Sequence, residues 1–395
     1  MPVWHAKTRA MRASGELAVV GITQEQHPDR CRLYAQWQEL DWPILWDPFN
    51  LTGSAAVPIV SGIDAHGVVR AALRNPERDA ADEFFEKAYE PPASAPAAEI
   101  PVRRELLAAG STPDTLAEWA IAKMLWEGPA AYDDGIAALE EAVGQRGEDP
   151  VLLFRLGVAH RLRYDSPAGR SGDFQASLDH WTHALRKDPN QYIWRRRIQQ
   201  WGPRLDKPYA FYDWVARARE EIAARGAEPI AVAVALTGSE VADQSNVLPA
   251  RKEERANPDP KREIAQDEVG LVRVAAAAAL NTSAGGRNRS QPTARVYVEL
   301  RPDPVRDVHW SNDAGPTLVW ISVPQGWRLE QNLHELPLPG AEPSNETRRL
   351  ELEVLASSAE ARPIVRGFAL YYVCEGESGE CVYRRRDFEI ELPLL

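Results

Sequence analysis

The hydrophobic pattern changes character twice along the chain. Residues 1–90 alternate between helical and extended patterns. Val3 to Ser14 reads as a helix stopped by Gly15. Leu17 to Ile22 is a short apolar run suited to a buried parallel strand. Gln26 to Leu40 places Leu33, Trp37 and Leu40 at helical spacing. Pro58 to Asp64 and Val68 to Leu73 read as two strands joined at Ala65-His66-Gly67, and Asp79 to Tyr89 reads as a closing helix.

Residues 102–226 carry apolar positions at helical spacing throughout. From 228 onward, short strand-like runs are separated by turns rich in Pro, Gly and Asn. They are Ile230 to Leu236, Leu271 to Leu280, Ala294 to Leu300, Leu318 to Val323, Arg349 to Leu355 and Gly367 to Val373. That spacing predicts a β-sandwich. Residues 241–268 are charged and lack periodicity, which reads as a mobile insertion.

The expected architecture is therefore multidomain, α/β then α then β, over 1–90, 102–226 and 228–395. A Pro/Ala-rich linker spans 91–101. A length of 395 residues exceeds one ordinary core. The net charge of −12 argues against nucleic acid and anionic membranes as partners. There is no apolar run of membrane-spanning length, and residues 1–7 contain no apolar core of a signal peptide.

The chain has three cysteines. Cys374 ends an apolar run and Cys381 opens the next, with six polar residues between them. This predicts a hairpin with one sulfur on each side, close enough to bridge. Closing so short a loop constrains the unfolded chain less than a long one, which favours a redox role over a staple. A stable structural bridge or two inert thiols is the competing reading. Arg384, Arg385 and Arg386 offer positive potential to a thiolate, opposed by Glu375, Glu377 and Glu380. Tyr371, Tyr372 and Tyr383 surround the pair in sequence and are candidates for partner docking. Cys31 reads as a half-buried structural thiol on a helix.

Two other clusters read as structural. His180 and His183 supply two imidazoles with no further ligand in place, so no metal or other cofactor is expected. Trp194-Arg195-Arg196-Arg197 reads as a solvated helix face.

Three resemblances add to this. Val57-Pro58-Ile59, followed by Ile63-Asp64-Ala65-His66-Gly67-Val68-Val69, resembles the cis-proline loop and terminal hairpin of the thioredoxin-like fold, in its peroxiredoxin and TlpA/ResA branch. Trp42 to Asp47 resembles the preceding segment. The resemblance implies a cis Val57–Pro58 bond and a backbone edge there that docks thiol-bearing partners. Pro2 stands where that family's helix-kinking proline stands, so the family's CxxC either is absent or, as the favoured expectation, lies upstream of Met1, and it cannot be assigned to any residue of this chain. Cys31 lacks the surroundings of a peroxidatic cysteine.

Trp119, Ala122, Trp126, Gly135, Leu139 and Ala142, then Leu156, Gly157, Ser177, Trp181, Ala184 and Pro189, are spaced like two degenerate tetratricopeptide repeats. A plain helical bundle is the alternative. Gly367 to Cys374, Gly379-Glu380-Cys381 and the closing strand to Ile390 resemble the N-terminal periplasmic domain of the DsbD thiol:disulfide interchange family. That implies an immunoglobulin-like fold with Cys374 and Cys381 as its exchange pair.

The expectation is a thiol–disulfide exchange protein of a bacterial extracytoplasmic pathway, a possible oxidoreductase with thioredoxin-like partners. A non-catalytic scaffold that keeps redox-type folds for binding is the alternative.

Overall fold

The computed structural model describes residues 2–72, 79–91, 112–202, 214–234, 236, 255–281, 293–329, 331–356, 363–376 and 380–392. The chain divides into two compact units. The first comprises Met1–Val158, His183–Arg197 and Asp213–Ala235. The second comprises Ala159–Thr182, Ile198–Tyr212 and Leu236–Leu395. The expected linker lies outside the described residues except for Pro91.

The first unit begins with α1 (Pro2–Ser14), β1 (Gly21–Thr23), α2 (Asp29–Trp37) and β2 (Ile44–Trp46). β1 and β2 pair in parallel, with Gly21 opposite Ile44. β3 (Ser61–Ile63) and β4 (Val69–Ala72) form an antiparallel hairpin, followed by α3 (Asp79–Glu86). Its turn is set by Asp64, whose carboxylate accepts the backbone N–H groups of His66 and Val68 at 2.8 and 2.9 Å and the Arg70 guanidinium at 2.6 Å. Those bonds outweigh partial desolvation and lower its pKa. β3 lies hard against α3: a Cβ at Gly62 would come within 2.6 Å of the Phe84 ring. The Val57–Pro58 peptide bond is cis.

The helices that follow are α4 (Pro113–Glu127), α5 (Tyr132–Arg146), α6 (Pro150–Tyr164), α7 (Asp173–Lys187), α8 (Tyr192–Trp201) and α9 (Trp214–Ala224). The division between units falls inside α6, α7 and α8. The start of α4 is written in the sequence: Thr112 caps it, Thr115 reciprocates and Pro113 takes the first helical position. Within the first unit, α2 packs against α9. Leu33, Ala218 and Ile222 are fully buried there, and Trp37 stacks on Trp214 with centroids 5.9 Å apart. Ile230 to Leu236 forms no strand among its described residues. Its backbone is held by the Gln36 side chain instead, which donates to Glu228 O and accepts from Ile230 N.

The run Arg195 to Arg197 is a solvated face only in part: Arg195 is exposed, but the third arginine is not. Arg197 is 1% exposed. Its guanidinium donates to Gln26 Oε1, to Gln24 O and to Pro48 O, and lies over the Phe154 ring. Three acceptors and an aromatic face satisfy a planar donor fork that solvent would otherwise take.

The second unit holds two antiparallel sheets. One has the order β5 (Val272–Asn281), β6 (Thr293–Pro302), β11 (Arg348–Ala356), β9 (Trp327–Leu329). The other has the order β10 (Leu333–Glu335), β8 (Leu318–Ser322), β12 (Ile364–Glu375), β13 (Cys381–Glu391), with β7 (Val308–Trp310) also paired to β12. Alternate residues of both sheets meet in one core: Val272, Val296, Val298, Leu350 and Leu352 from the first, and Val319, Ile321, Ala369, Tyr371 and Val373 from the second.

β5 is buried on both faces. Its second face, Ala275 and Ala277, packs with Tyr297 against Tyr164 and Phe174. The run of five alanines from 275 to 279 thus serves close approach: a larger side chain there would hold those rings off the sheet. At the edge of this contact Arg273 donates to Gly169 O and Tyr164 O at 2.7 and 3.0 Å.

The segment expected to be a mobile insertion divides in two. Residues 241–254 lie outside the described residues. Residues 255–268 are held at two buried acids. Asp259, 4% exposed, accepts Arg385 at 2.7 Å, and Asp267, 1% exposed, accepts the backbone N–H groups of Leu271 and Val272 and the Tyr371 hydroxyl. Of the charges that suggested solvation, these two are buried with partners, whereas Lys261, Arg262, Glu263 and Glu268 are exposed.

Candidate functional site

The cysteine pair is where the two halves of the hairpin end. Cys374 lies directly opposite Cys381, and the ladder continues unbroken to Ile364 opposite Glu391. The two are joined by a disulfide with Cα atoms 4.1 Å apart. Alternation fixes the face. Val373 and Tyr371 point into the shared core, so Cys374 and Tyr372 occupy the opposite face. The two cysteines are not equivalent: Cys374 is 6% exposed, whereas Cys381 is exposed.

Tyr372 lies opposite Tyr383 one step along the same face, and their rings stack with centroids 4.2 Å apart. Tyr371 does not share this surface. It is fully buried, its hydroxyl donates to Asp267 at 2.8 Å, and burial pushes its phenol well above the usual range. Proposed as a docking residue from sequence, it is a core residue, because its odd position sends it inward. Val57 and Pro58 are exposed and belong to the first unit, whereas the cysteine pair belongs to the second.

The arginines after Cys381 are engaged by other groups. Arg385 is 5% exposed, pairs with Asp259 and Asp387, and lies 3.7 Å from the Phe368 ring centroid. Arg386 donates to Asp267 O at 2.5 Å, and Arg384 to Tyr383 O at 3.2 Å. Of the three, Arg385 is the one whose charge is paired, by Asp259 and Asp387.

One residue near the pair was not foreseen. On the side of β12 away from β13, Cys374 lies directly opposite His309 of β7. Backbone bonds fix this register on both sides, from Ser311 N to Tyr372 O at 3.1 Å and from Gly376 N to Asp307 O at 3.0 Å. Val308-His309-Trp310 does alternate, but three residues fall below the length at which periodicity speaks, and the strand was not read from the sequence.

Cys31 sits half-buried on α2, as expected. It lines a cavity of about 450 Å³ with Thr23, Trp42 and Trp46. Burial raises its pKa, which a hydrogen bond with Thr23 only partly offsets. A thiol held protonated is a poor nucleophile. His180 stacks on His160 with centroids 5.6 Å apart, and His183 pairs with Glu148 at 3.2 Å. No group of three or more metal-ligating side chains occurs among the described residues, nor does a helix long and apolar enough to cross a membrane.

No family model matches the chain, and no curated protein matches it. Solved structures with some similarity include an X-ray structure of a Northeast Structural Genomics Consortium target. It shares 11% identity over 31% of this chain and 89% of that one, with a TM-score of 0.20. The crystal structure of the putative ApaA protein from Bordetella pertussis shares 13% identity over 31% of this chain and 94% of that one, also with a TM-score of 0.20. At those scores neither likeness carries an argument about fold or function.

Proposed function

We propose that this protein performs thiol–disulfide exchange through Cys374 and Cys381, acting on thioredoxin-like or other dithiol proteins of an extracytoplasmic pathway. In this reading residues 228–395 are an immunoglobulin-like domain of the DsbD type, residues 1–90 carry a thioredoxin-like module, and the helices of residues 102–226 resemble tetratricopeptide repeats that serve partner binding. The observation that supports it is the asymmetry of the pair: an exposed Cys381 bonded to a buried Cys374 at the turn end of a hairpin. Exchange proceeds by in-line attack of a thiolate on an accessible sulfur. Cys381 is the sulfur a partner can reach, and Cys374 is the one released.

The test uses the full-length chain with Cys31→Ser, so that only the pair reacts. Cys374→Ser should trap a mixed disulfide with a thioredoxin-like CxxC protein, and Cys381→Ser should not. The pair should also titrate above about −300 mV, the level below which structural disulfides typically lie. A potential below that level, with neither variant trapping a partner, would leave the non-catalytic scaffold reading in its place.

A further inference from the structure

Three strands place three side chains in one row on one face of the sheet: His309 on β7, Cys374 on β12 and Cys381 on β13. Directly opposed residues of antiparallel strands have Cβ atoms about 4.5–5.5 Å apart. His309 is therefore the neighbour of the buried cysteine on that face, on the side away from the exposed one. His309 is half-buried, and among the described residues no hydrogen-bond partner fixes its ring. A disulfide sulfur offers an imidazole almost nothing to bind, whereas a thiolate in that place offers a full negative charge.

The other ionisable groups near this row include Tyr372 and Tyr383, stacked one step along the same face, and Arg384, which donates to Tyr383 O. Glu375 and Glu380 are exposed at the hairpin end, Arg306 and Asp307 precede β7 and are exposed, and Asp313 follows it and accepts the Ser311 hydroxyl. Arg385 and Arg386 are held by Asp259, Asp387 and Asp267 O. The side chain placed by register against Cys374 is His309.

We propose that His309 is the counter-charge and proton carrier for Cys374. The proposal rests on the exchange reading above. A thiolate of a dithiol partner attacks Cys381 Sγ. A bond forms between the partner sulfur and Cys381 Sγ, the Sγ–Sγ bond breaks, and its electron pair passes to Cys374 Sγ. Protonated His309 pairs with that thiolate and gives it a proton. The partner's second thiolate then attacks its own sulfur in the mixed disulfide and releases Cys381, which takes a proton from solvent. The partner dithiol is oxidised to a disulfide, and the protein's disulfide is reduced to two thiols. In the reverse direction neutral His309 removes the Cys374 proton, and the Cys374 thiolate resolves the mixed disulfide on Cys381.

The experiment titrates Cys374 by ultraviolet thiolate absorbance in the full-length chain with Cys31→Ser and Cys381→Ser, with and without His309→Gln. His309→Asn serves as a second variant should the glutamine disturb the pairing of β7, and near-ultraviolet circular dichroism verifies folding of each. An opposite charge at this range shifts a pKa by about 1–3 units. Loss of His309 should raise the Cys374 midpoint by that order, and the pH profile of disulfide reduction by dithiothreitol in the Cys31→Ser chain should lose its imidazole limb. An unchanged midpoint with an unchanged profile overturns the role of His309 while leaving exchange standing. Failure of Cys374→Ser to trap a partner overturns exchange and the role of His309 together.

Discussion

Asp173 shows how single residues tie α6 to α7. It is 2% exposed and accepts His160 at 3.2 Å, Arg163 at 2.5 Å and the Arg170 N–H at 2.8 Å. Burial alone would raise its pKa, but these bonds outweigh it and bring the value down to about 2. An unfolded aspartate titrates near 3.9. A depressed folded value means that the contribution to stability is complete above the unfolded pKa and is lost as pH falls through about 2. Urea midpoints measured between about pH 4 and 2 should therefore fall more steeply for the natural chain than for Asp173→Asn, which will be less stable at neutral pH. Equal slopes would mean that Asp173 titrates as it does in the unfolded chain. Little of this was visible beforehand, since Asp173 in the sequence is one acid among 58. The same holds for Glu299, 2% exposed between Tyr297, Arg301 and Arg349 on the outward face of β6. A buried ion looks like a surface ion until its partners are placed around it.

At the level of elements, the patterns that were legible are the long ones. The hairpin of β12 and β13 was read with both cysteines on its facing strands, and α1, β5, β6, β8 and β11 fall where apolar periodicity put them. β7, β9 and β10 have three residues each and carry too few positions to show a period. Leu17 to Ile22 reduces to β1, because only Gly21 to Thr23 has a partner strand among the described residues.

Helix α5 offers a controlled comparison between two of its glycines. A Cβ at Gly135 would stand 2.5 and 2.7 Å from Met124 Cγ and Sδ, and Met124 is 2% exposed on α4. At Gly144, exposed on the same helix, an added Cβ meets nothing within 4 Å. Overpacking of a buried contact costs about 1–3 kcal/mol, whereas Gly to Ala in an exposed helix interior gains up to about 1 kcal/mol. Gly135→Val should accordingly lower, and Gly144→Ala raise, the chemical denaturation midpoint. Stabilisation by Gly135→Val would show that α4 and α5 do not approach so closely in solution.

For the molecule as a whole, the decisive question is whether the second unit needs its disulfide. An exchange protein has to be folded in both redox states, while a stapled one does not. Here the ladder of β12 and β13 runs eleven residue pairs from Cys374 opposite Cys381 to Ile364 opposite Glu391. It is joined to β8 and β7 on its other side. Tyr371, Val373 and Ala369 of β12 are anchored in a core shared with the facing sheet. None of these contacts passes through the sulfurs. The bridge closes a loop with a sequence separation of seven, for which the chain-entropy relation gives about 2.5 kcal/mol of stabilisation. In a unit of this size that amounts to a shift of about 5–10 °C in melting temperature. Reduction, or the double substitution Cys374→Ser with Cys381→Ser, should leave the near-ultraviolet circular dichroism of the natural chain in place and lower its melting point by no more than that. Loss of the near-ultraviolet signal on reduction would identify the bridge as a staple and exclude a cycle between two folded states. Retention of the signal, with reoxidation restoring the original melting point, is what a reversible dithiol carrier requires.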